Sequence, residues 1–207
     1  MLTNVNPTRM EALRLRRRVS LAARGHKLLS EKRDEISRQL LRIASEIGPL
    51  RKEIETLLVQ SSRRFVMAKS TMEPGEIAAA MDVPTKKFNL AVKQASIMSV
   101  KVPQMQKEVS GDIICYGYGY TSCELDVALK SLERAFDKIV ELAQKEKQAR
   151  LLAGELQMTR RRVNVLEHVV IPELNDTIKY IYGKLAEAER DNISRLMKIT
   201  DIIRKQN

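Results

Sequence analysis

Apolar residues in the first third of the chain recur every seven positions, in two parallel rows. One row consists of Leu15, Ala22, Leu29, Ile36, Ile43, Leu50 and Leu57, and its companion of Ala12, Val19, His26, Arg33, Leu40, Ile47 and Ile54. Rows with this spacing share one face of an α-helix and form the seam of a coiled coil. The pattern fades near Met72, so we predict a long helix within residues 1–73, kinked at Gly48-Pro49 because proline cannot donate the helical hydrogen bond.

A second periodic region begins near Thr121 and runs to the C-terminus, without a strong breaker except Pro172. Its apolar row, from Leu152 to Ile203, advances by about 3.6 residues per step, which predicts a nearly straight helix with stutters near Leu174 and Asn192. The starts of both helices have the spacing of a capping box, in the pairs Thr8 and Glu11, and Thr121 and Glu124.

Neither apolar face is stable in water, and two stripes of similar length bury each other when the helices fold back on one another. The predicted fold class is therefore mainly α, a long antiparallel two-helix coiled coil with a small α/β-hairpin insert at the turn end. In this arrangement Arg17 lies across from Glu187, and Leu57 lies near residues 136–142.

Residues 74–120 lack the long periodic pattern and form the predicted insert. A short helix is expected at Glu76 to Met81, and two β-prone runs, Ala95 to Pro103 and Ile113 to Tyr120, are expected to be the strands of a hairpin. The predicted domains are an N-terminal coiled-coil helix (1–73), the insert (74–120) and a C-terminal coiled-coil helix (121–207).

The composition fits long helices with a narrow apolar stripe, because only 4% of residues are aromatic while 30% are charged. No uncharged apolar run approaches the length of a membrane span, and Arg9 precedes any apolar core that a signal peptide would need. We therefore expect a cytoplasmic chain in which Cys115 and Cys123 are reduced.

The sequence offers no convincing catalytic site. His26 lies in a core row of the first helix and His168 has no evident nucleophile beside it, so both are interpreted as packed or interface residues. The glycines of Tyr116-Gly-Tyr-Gly-Tyr120 do not match a phosphate-binding loop. We predict no catalytic residue, no cofactor and no metal.

Basic residues are concentrated at one end of the predicted coiled coil. Residues 1–33 contain nine basic and two acidic side chains, within a chain of net charge +11, and further clusters occur at Arg63-Arg64 and Arg160 to Arg162. These clusters could be solvated helix faces or a cationic surface for acidic protein loops. A basic coiled-coil protein that binds nucleic acid is a further alternative, although stacking aromatics are missing from the basic faces. An interfacial membrane helix would need a Trp- or Phe-rich face, which the chain lacks.

Several segments in both helices and the insert resemble the D subunits of the V-type and A-type rotary ATPases. They include Asn4-Val-Asn-Pro-Thr-Arg-Met-Glu11, Arg24-Gly-His-Lys-Leu-Leu29, Ala68-Lys-Ser-Thr71, Ile97-Met-Ser-Val-Lys-Val-Pro103, Glu124-Leu-Asp126, Thr159-Arg-Arg-Arg-Val-Asn164, Leu166-Glu167, Ile171-Pro172 and Thr177-Ile-Lys-Tyr-Ile181.

This resemblance implies the central-stalk rotor shaft of a V/A-type ATPase, a non-catalytic component that couples ATP hydrolysis or synthesis to ion translocation. The implied partners are the hexamer of A and B subunits, the F subunit, and the C subunit (called d in eukaryotes) on the membrane ring, with no nucleic acid and no direct membrane insertion. The chain would be cytoplasmic and peripheral to the membrane. From the charge distribution and the helix ends, the candidate interaction residues are Arg16, Arg17, Arg18, Arg160, Arg161, Arg162, Leu196, Ile199 and Ile203.

Overall fold

A computed structural model describes residues 5–82, 85–117, 119 and 121–206 of the chain. Asn4 of the opening segment and two members of the Tyr-Gly repeat, Tyr118 and Tyr120, lie outside the described residues. The described part contains long helices and one two-stranded antiparallel sheet. The mainly α prediction with a hairpin insert is thus confirmed, whereas the division into residues 1–73, 74–120 and 121–207 stays a prediction.

The first long helix, α1, spans Arg9–Thr71. The hydroxyl oxygen of Thr8 accepts a hydrogen bond from the backbone N–H of Glu11 at 3.2 Å, which satisfies one of the free donors at the helix start, as the capping-box spacing predicted. The helix continues through Pro49 rather than ending there. Every member of the two heptad rows is buried or half-buried, which confirms the predicted seam.

The second helical region is divided into three parts: α3 at Cys123–Val165, a π-helical turn at Leu166–Val170, and α4 at Ile171–Gln206. The predicted cap at Thr121 is wrong by one residue. The hydroxyl of Ser122 accepts the N–H of Glu124 at 3.3 Å, while the hydroxyl of Thr121 donates to the carbonyl of Gly117. Ser122 is therefore the residue that caps α3.

The π-helical turn ends two residues before Pro172. A proline inside a helix lacks the N–H donor, and its ring presses on the carbonyl four residues earlier, which a wider turn relieves. The sequence pattern predicted a stutter near Leu174, a few residues further along. The wide turn lets the helical path continue past the proline instead of ending at it.

The insert contains α2 at Pro74–Met81 and two strands, β1 at Lys87–Ile97 and β2 at Val100–Ser110. The strands pair antiparallel from Lys87 opposite Ser110 to Ile97 opposite Val100. The predicted strand positions are wrong, because Ala95 to Pro103 spans the hairpin turn, and the described residues of 113–119 form no strand. The two turn residues, Met98 and Ser99, have positive φ values of 52° and 67°, as a two-residue type I′ turn requires.

The described helices belong to two compact units. The first, called the terminal unit here, combines residues 1–35 with residues 157–207. Its helices run antiparallel, since Arg9 pairs with Glu189 at 2.5 Å and His26 lies 3.4 Å from Glu167. Its core is an apolar cluster between α1 and α4, formed by Ala12, Leu15, Leu174, Ile178 and Ile181.

The second, called the central unit, consists of residues 36–156. Here too the helices are antiparallel, because Arg51 pairs with Glu146 at 2.6 Å and Ser61 donates to the carbonyl of Ala128 at 2.9 Å. Together with the pair of Glu53 and Lys138, the latter contact places Leu57 slightly before the predicted stretch of 136–142. One apolar cluster joins α1, α2 and α3 in this unit, formed by Ala68, Met72, Ile77, Ala80 and Leu125.

Candidate functional site

The nine candidate interaction residues all fall in the terminal unit, and all nine side chains are exposed. They do not form one patch. Arg16 to Arg18 lie on α1, Arg160 to Arg162 near the end of α3, and the three apolar residues in the last turns of α4. We therefore describe them as three surfaces, called the α1 basic, α3 basic and α4 apolar surfaces.

The α1 basic surface consists of Arg16, Arg17 and Arg18. The guanidinium of Arg16 lies 5.0 Å from the ring centre of Tyr182 on α4, within cation–π range. This contact was not predicted, and it shows that Arg17 lies across from residues near Tyr182 rather than near Glu187. Within the part of the chain that the structure describes, none of the three arginines pairs with a carboxylate.

The same stretch of α1 exposes apolar side chains beside the arginines. Met10, Leu13 and Leu21 are 78%, 51% and 64% exposed, and together with Arg17 and Arg18 they line a shallow groove of about 580 Å³. These exposed leucines lie outside the buried seam of α1 and do not contribute to it. The α1 basic surface is thus a mixed cationic and apolar face.

The α3 basic surface consists of Arg160, Arg161 and Arg162, in the last two turns of α3. The residues before and after the three arginines, Thr159 and Val163, are buried. They pack in the seam and hold this turn of the helix in place. No carboxylate pairs with these three guanidinium groups among the described residues. All three arginines are exposed and available to an external partner.

The α4 apolar surface consists of Leu196, Ile199 and Ile203, with 63%, 52% and 55% of each residue exposed. The predicted row is buried or half-buried up to Leu185, but all residues from 186 to 204 are exposed. The reason is that α1 begins at Arg9, which contacts Glu189, and offers no partner surface to the turns of α4 beyond that contact. The periodicity could not reveal this end of the pairing. Three further apolar residues on these turns were missed as candidates, namely Ile193, Met197 and Ile202.

Ion pairs along the terminal unit are mostly exposed, and most of them join residues close in sequence. Lys184 donates a hydrogen bond to Glu187 at 2.8 Å, which raises the pKa of Lys184 and lowers the pKa of Glu187. Pairs of this kind stabilise a helix only weakly because water and salt screen them. They orient surface side chains rather than holding the unit together.

The described residues of the terminal unit form no arrangement typical of catalysis. His26 is half-buried in the seam beside the Glu167 carboxylate, while His168 is exposed on the π-helical turn. Across the described ranges, no group of three His, Cys, Asp or Glu side chains could hold a metal ion. Within the same ranges, no helix is both long and apolar enough to cross a membrane.

Comparison with known proteins adds to this geometry. Residues 11–201 match the family model that describes the D subunits of ATP synthases. A V-type ATP synthase D subunit of Clostridium novyi is 44% identical, covering 98% of this chain and 96% of that protein. Proteins of the same name from Acetivibrio thermocellus and Thermoanaerobacter sp. are 44% and 42% identical, covering 99% of this chain and 94% and 99% of their own lengths.

Proposed function

Because the chain belongs to the family of ATP synthase D subunits, we propose that it is the central-stalk rotor shaft of a V/A-type ATPase. In this role it couples ATP hydrolysis or synthesis in the catalytic hexamer of A and B subunits to ion translocation by the membrane ring. Nucleotide chemistry resides in the hexamer, and the chain itself contributes no catalytic group and no cofactor. It works on the cytoplasmic side, peripheral to the membrane.

The α4 apolar surface is the observation that carries this proposal. A row of large aliphatic side chains that stay more than half exposed is unfavourable in water and is typical of a surface that another protein covers. The row lies on the exposed turns of α4 that continue beyond the packed part of the helix, which ends at Leu185. We assign it to contact with the catalytic hexamer.

The α1 basic surface supports the same assignment. Three arginines without a carboxylate partner among the described residues favour acidic loops on a surrounding protein, and electrostatic attraction speeds and orients such an encounter. The α3 basic surface serves a second protein contact further from the helix ends. The F subunit and the C (or d) subunit on the membrane ring complete the expected set of partners.

The mechanism that we propose is mechanical. The helix pair turns inside the hexamer, in which each A subunit and its neighbouring B subunit form one catalytic pair. Each catalytic pair contacts first the α1 basic surface, then the α4 apolar surface, and then neither of these two surfaces. Coupling between rotation and the open or closed state of a catalytic pair requires contacts that differ between those states. Two chemically different faces on one unit provide that difference.

The test is a triple substitution of the α4 apolar surface, Leu196→Ser, Ile199→Ser and Ile203→Ser, in the assembled ATPase. We expect loss of hexamer binding or of ATP-driven ion transport, with unchanged far-ultraviolet circular dichroism of the isolated chain. A second variant neutralises the α1 basic surface, with Arg16, Arg17 and Arg18 all replaced by glutamine, and we expect a loss of coupling from it as well.

The matched control for the arginine variant removes three positive charges from exposed positions of the central unit, through Lys52→Gln, Arg63→Gln and Lys69→Gln. It should leave coupling and assembly at the wild-type level. If both the serine and the arginine triple variants assembled and transported ions like wild type, the proposed contacts with the hexamer would be wrong. Salt-sensitive binding to RNA or DNA, lost in the arginine variant, would instead favour a nucleic-acid-binding protein.

A further inference from the structure

The two outer edges of the β-hairpin differ in their hydrogen bonds to the rest of the central unit. On β2, the backbone N–H of Met105 donates to the side-chain oxygen of Gln144 at 2.8 Å, and the carbonyl of Pro103 accepts from Gln148 at 3.3 Å. Both glutamines belong to α3. Helix α3 therefore covers the outer edge of β2 and satisfies its polar groups.

These two contacts also fix the direction of the backbone groups on β1. In an antiparallel pair, residues whose N–H and C=O point outward lie opposite each other and alternate with residues that bond across the pair. Met105 and Pro103 point outward, and their partners in the register are Val92 and Gln94. By alternation, the outward groups of β1 belong to every second residue, namely Phe88, Leu90, Val92, Gln94 and Ser96.

Within the described residues, the outer edge of β1 has no side-chain hydrogen bonds of the kind that α3 makes to β2. None of its outward N–H or C=O groups has a hydrogen-bond partner within the described ranges, and Leu90 and Val92 are 44% and 56% exposed. A row of unpaired backbone N–H and C=O groups along a strand can bind another strand. The edge is 11 residues long, which is ample for a stable addition.

The side chains of β1 define the chemistry of a strand that could be added. One face of β1 carries exposed Lys87 and Lys93, and the other carries exposed Leu90 and Val92. On the lysine face, β2 adds one carboxylate, Glu108, opposite Asn89. Because directly opposed residues share a face, an added strand with acidic residues on one side and apolar residues on the other complements both faces.

The same lysines disfavour pairing of β1 with a second copy of itself. In an antiparallel pair of two β1 strands centred on Leu90, Lys87 of each copy would lie opposite Lys93 of the other. Like charges directly opposite each other destabilise a strand pair. This register of self-pairing is therefore disfavoured.

We propose that the outer edge of β1 is a docking site for an extended segment of another protein, with alternating acidic and apolar residues, which adds to the hairpin as a third strand. The site lies in the insert and does not depend on the contacts assigned above to the terminal unit.

The probe is a capped nine-residue peptide of alternating glutamate and valine, titrated into the isotopically labelled full chain and followed by backbone amide NMR. We expect the amides of Leu90, Val92 and Gln94 to shift and to exchange more slowly with solvent. Two peptides of the same sequence, N-methylated on all valines or on all glutamates, serve as backbone controls. In the bound peptide, the backbone N–H groups of one residue type face β1 and those of the other residue type face water. One methylated peptide should therefore lose binding, and the other should keep it.

Variants of the chain test the two faces separately. Lys87→Glu with Lys93→Glu should weaken binding by about tenfold or more, while the matched arginine pair, Lys87→Arg with Lys93→Arg, should retain it. Gln94→Pro removes an outward N–H without removing a bond between β1 and β2 and should abolish binding, while Gln94→Ala keeps that N–H and should bind like wild type.

Several results would overturn the proposal. These are the absence of amide shifts on β1 at about 1 mM peptide, equal binding of both methylated peptides, or equal binding of a lysine-valine peptide. Sedimentation that showed a dimer of the wild-type chain, lost in Gln94→Pro, would assign the edge to a second copy and would also overturn it. Because the methylated peptides are tested on the wild-type chain, the result does not depend on folding of the proline variant.

Discussion

Three hydroxyl side chains are buried among the apolar residues of the helix pairs: Ser61, Thr159 and Thr177. Ser61 differs from Thr177 in its partner. The hydroxyl of Ser61 donates to a carbonyl on the facing helix, whereas that of Thr177 donates to the carbonyl of Glu173 in its own helix. A bond between helices fixes their register, while a bond within one helix only satisfies a buried group.

The first prediction concerns this bond between α1 and α3. Ser61→Ala should lower the free energy of unfolding by about 1 kcal/mol, because it removes a buried hydrogen bond while leaving the Ala128 carbonyl in its own helical bond. Urea denaturation measures the change. Ser62→Ala, at an exposed neighbouring position, should change the unfolding free energy by no more than about 0.5 kcal/mol. Equal effects of the two substitutions would contradict the structural role of Ser61.

The second prediction concerns Lys145, which contacts Glu141 at 3.0 Å and Glu46 at 3.1 Å and so links α3 to α1. Hydrogen bonds to Glu141 and then Glu46 raise the pKa of Lys145 above its usual 10.5. A raised folded-state pKa stabilises the fold at pH values below the unfolded-state pKa, and this stabilisation is lost as the pH rises through the folded-state pKa.

Thermal unfolding of wild type and Lys145→Gln across the alkaline range tests this linkage. Wild type should be more stable by a constant margin from neutral pH up to about pH 10, and the margin should shrink above that. Lys147→Gln, at an exposed position, should show no such pH-dependent difference. A margin that grew with pH would contradict the assignment.

Residue contacts across the seam could be predicted from the sequence only in part. The heptad rows correctly placed His26 and Arg33 at the seam, because spacing alone decides which side a helical residue faces. The contact between Arg16 and Tyr182 could not be predicted in the same way, since it depends on how far one helix is shifted along the other. The predicted pairing of Arg17 with Glu187 was wrong by about one and a half turns for that reason.

Among the secondary-structure elements, α1 has a buried seam on one side and exposed apolar residues on the other. Ile36 is fully buried, while Leu41 on the outer side of the same helix is 67% exposed. The third prediction is that Ile36→Ala lowers the unfolding free energy by about 2–4 kcal/mol, whereas Leu41→Ala changes it by about 0.5 kcal/mol or less. Denaturant titration compares the two directly, and a similar loss from both would mean that the seam is placed incorrectly.

The hairpin is the element that the sequence pattern misplaced. Val100, Val102 and the residues before Met98 alternate well, so the run was interpreted as a single strand. The turn itself was invisible because Met98 and Ser99 are not residues that favour positive φ, and no Asn-Gly or Gly-Gly pair marks the reversal. The antiparallel register, once formed, compensates for the strain at these two positions.

The fourth prediction follows from that strain. Replacing Met98 with Asn and Ser99 with Gly should stabilise the hairpin by about 1 kcal/mol, because both new residues tolerate the left-handed conformation. Slower hydrogen exchange at the cross-strand amides of β1 and β2 would report the gain. Placing the same Asn-Gly pair at Gln104 and Met105, in the middle of β2, should destabilise the strand and serves as the contrasting control.

For the whole molecule, the sequence identified the coiled-coil class and the basic end but not where the helix pairing ends. All residues from 186 to 204 are exposed, so they add little to the stability of the chain by itself. The fifth prediction is that deleting residues 191–207 leaves the unfolding midpoint of the isolated chain within about 2 °C of wild type. Coupling in the assembled ATPase should nevertheless be lost. A large drop in the midpoint would show that these turns stabilise the fold.

Uncovered aliphatic turns at the end of α4 also affect how a cell handles this polypeptide. A copy made without its assembly partners presents the kind of surface that chaperones hold and that proteases and aggregates capture. Synthesis in excess of the other components would therefore shorten the lifetime of the surplus rather than build a reserve. The exposed end of α4 therefore requires that the chain be made in amounts matched to its assembly partners.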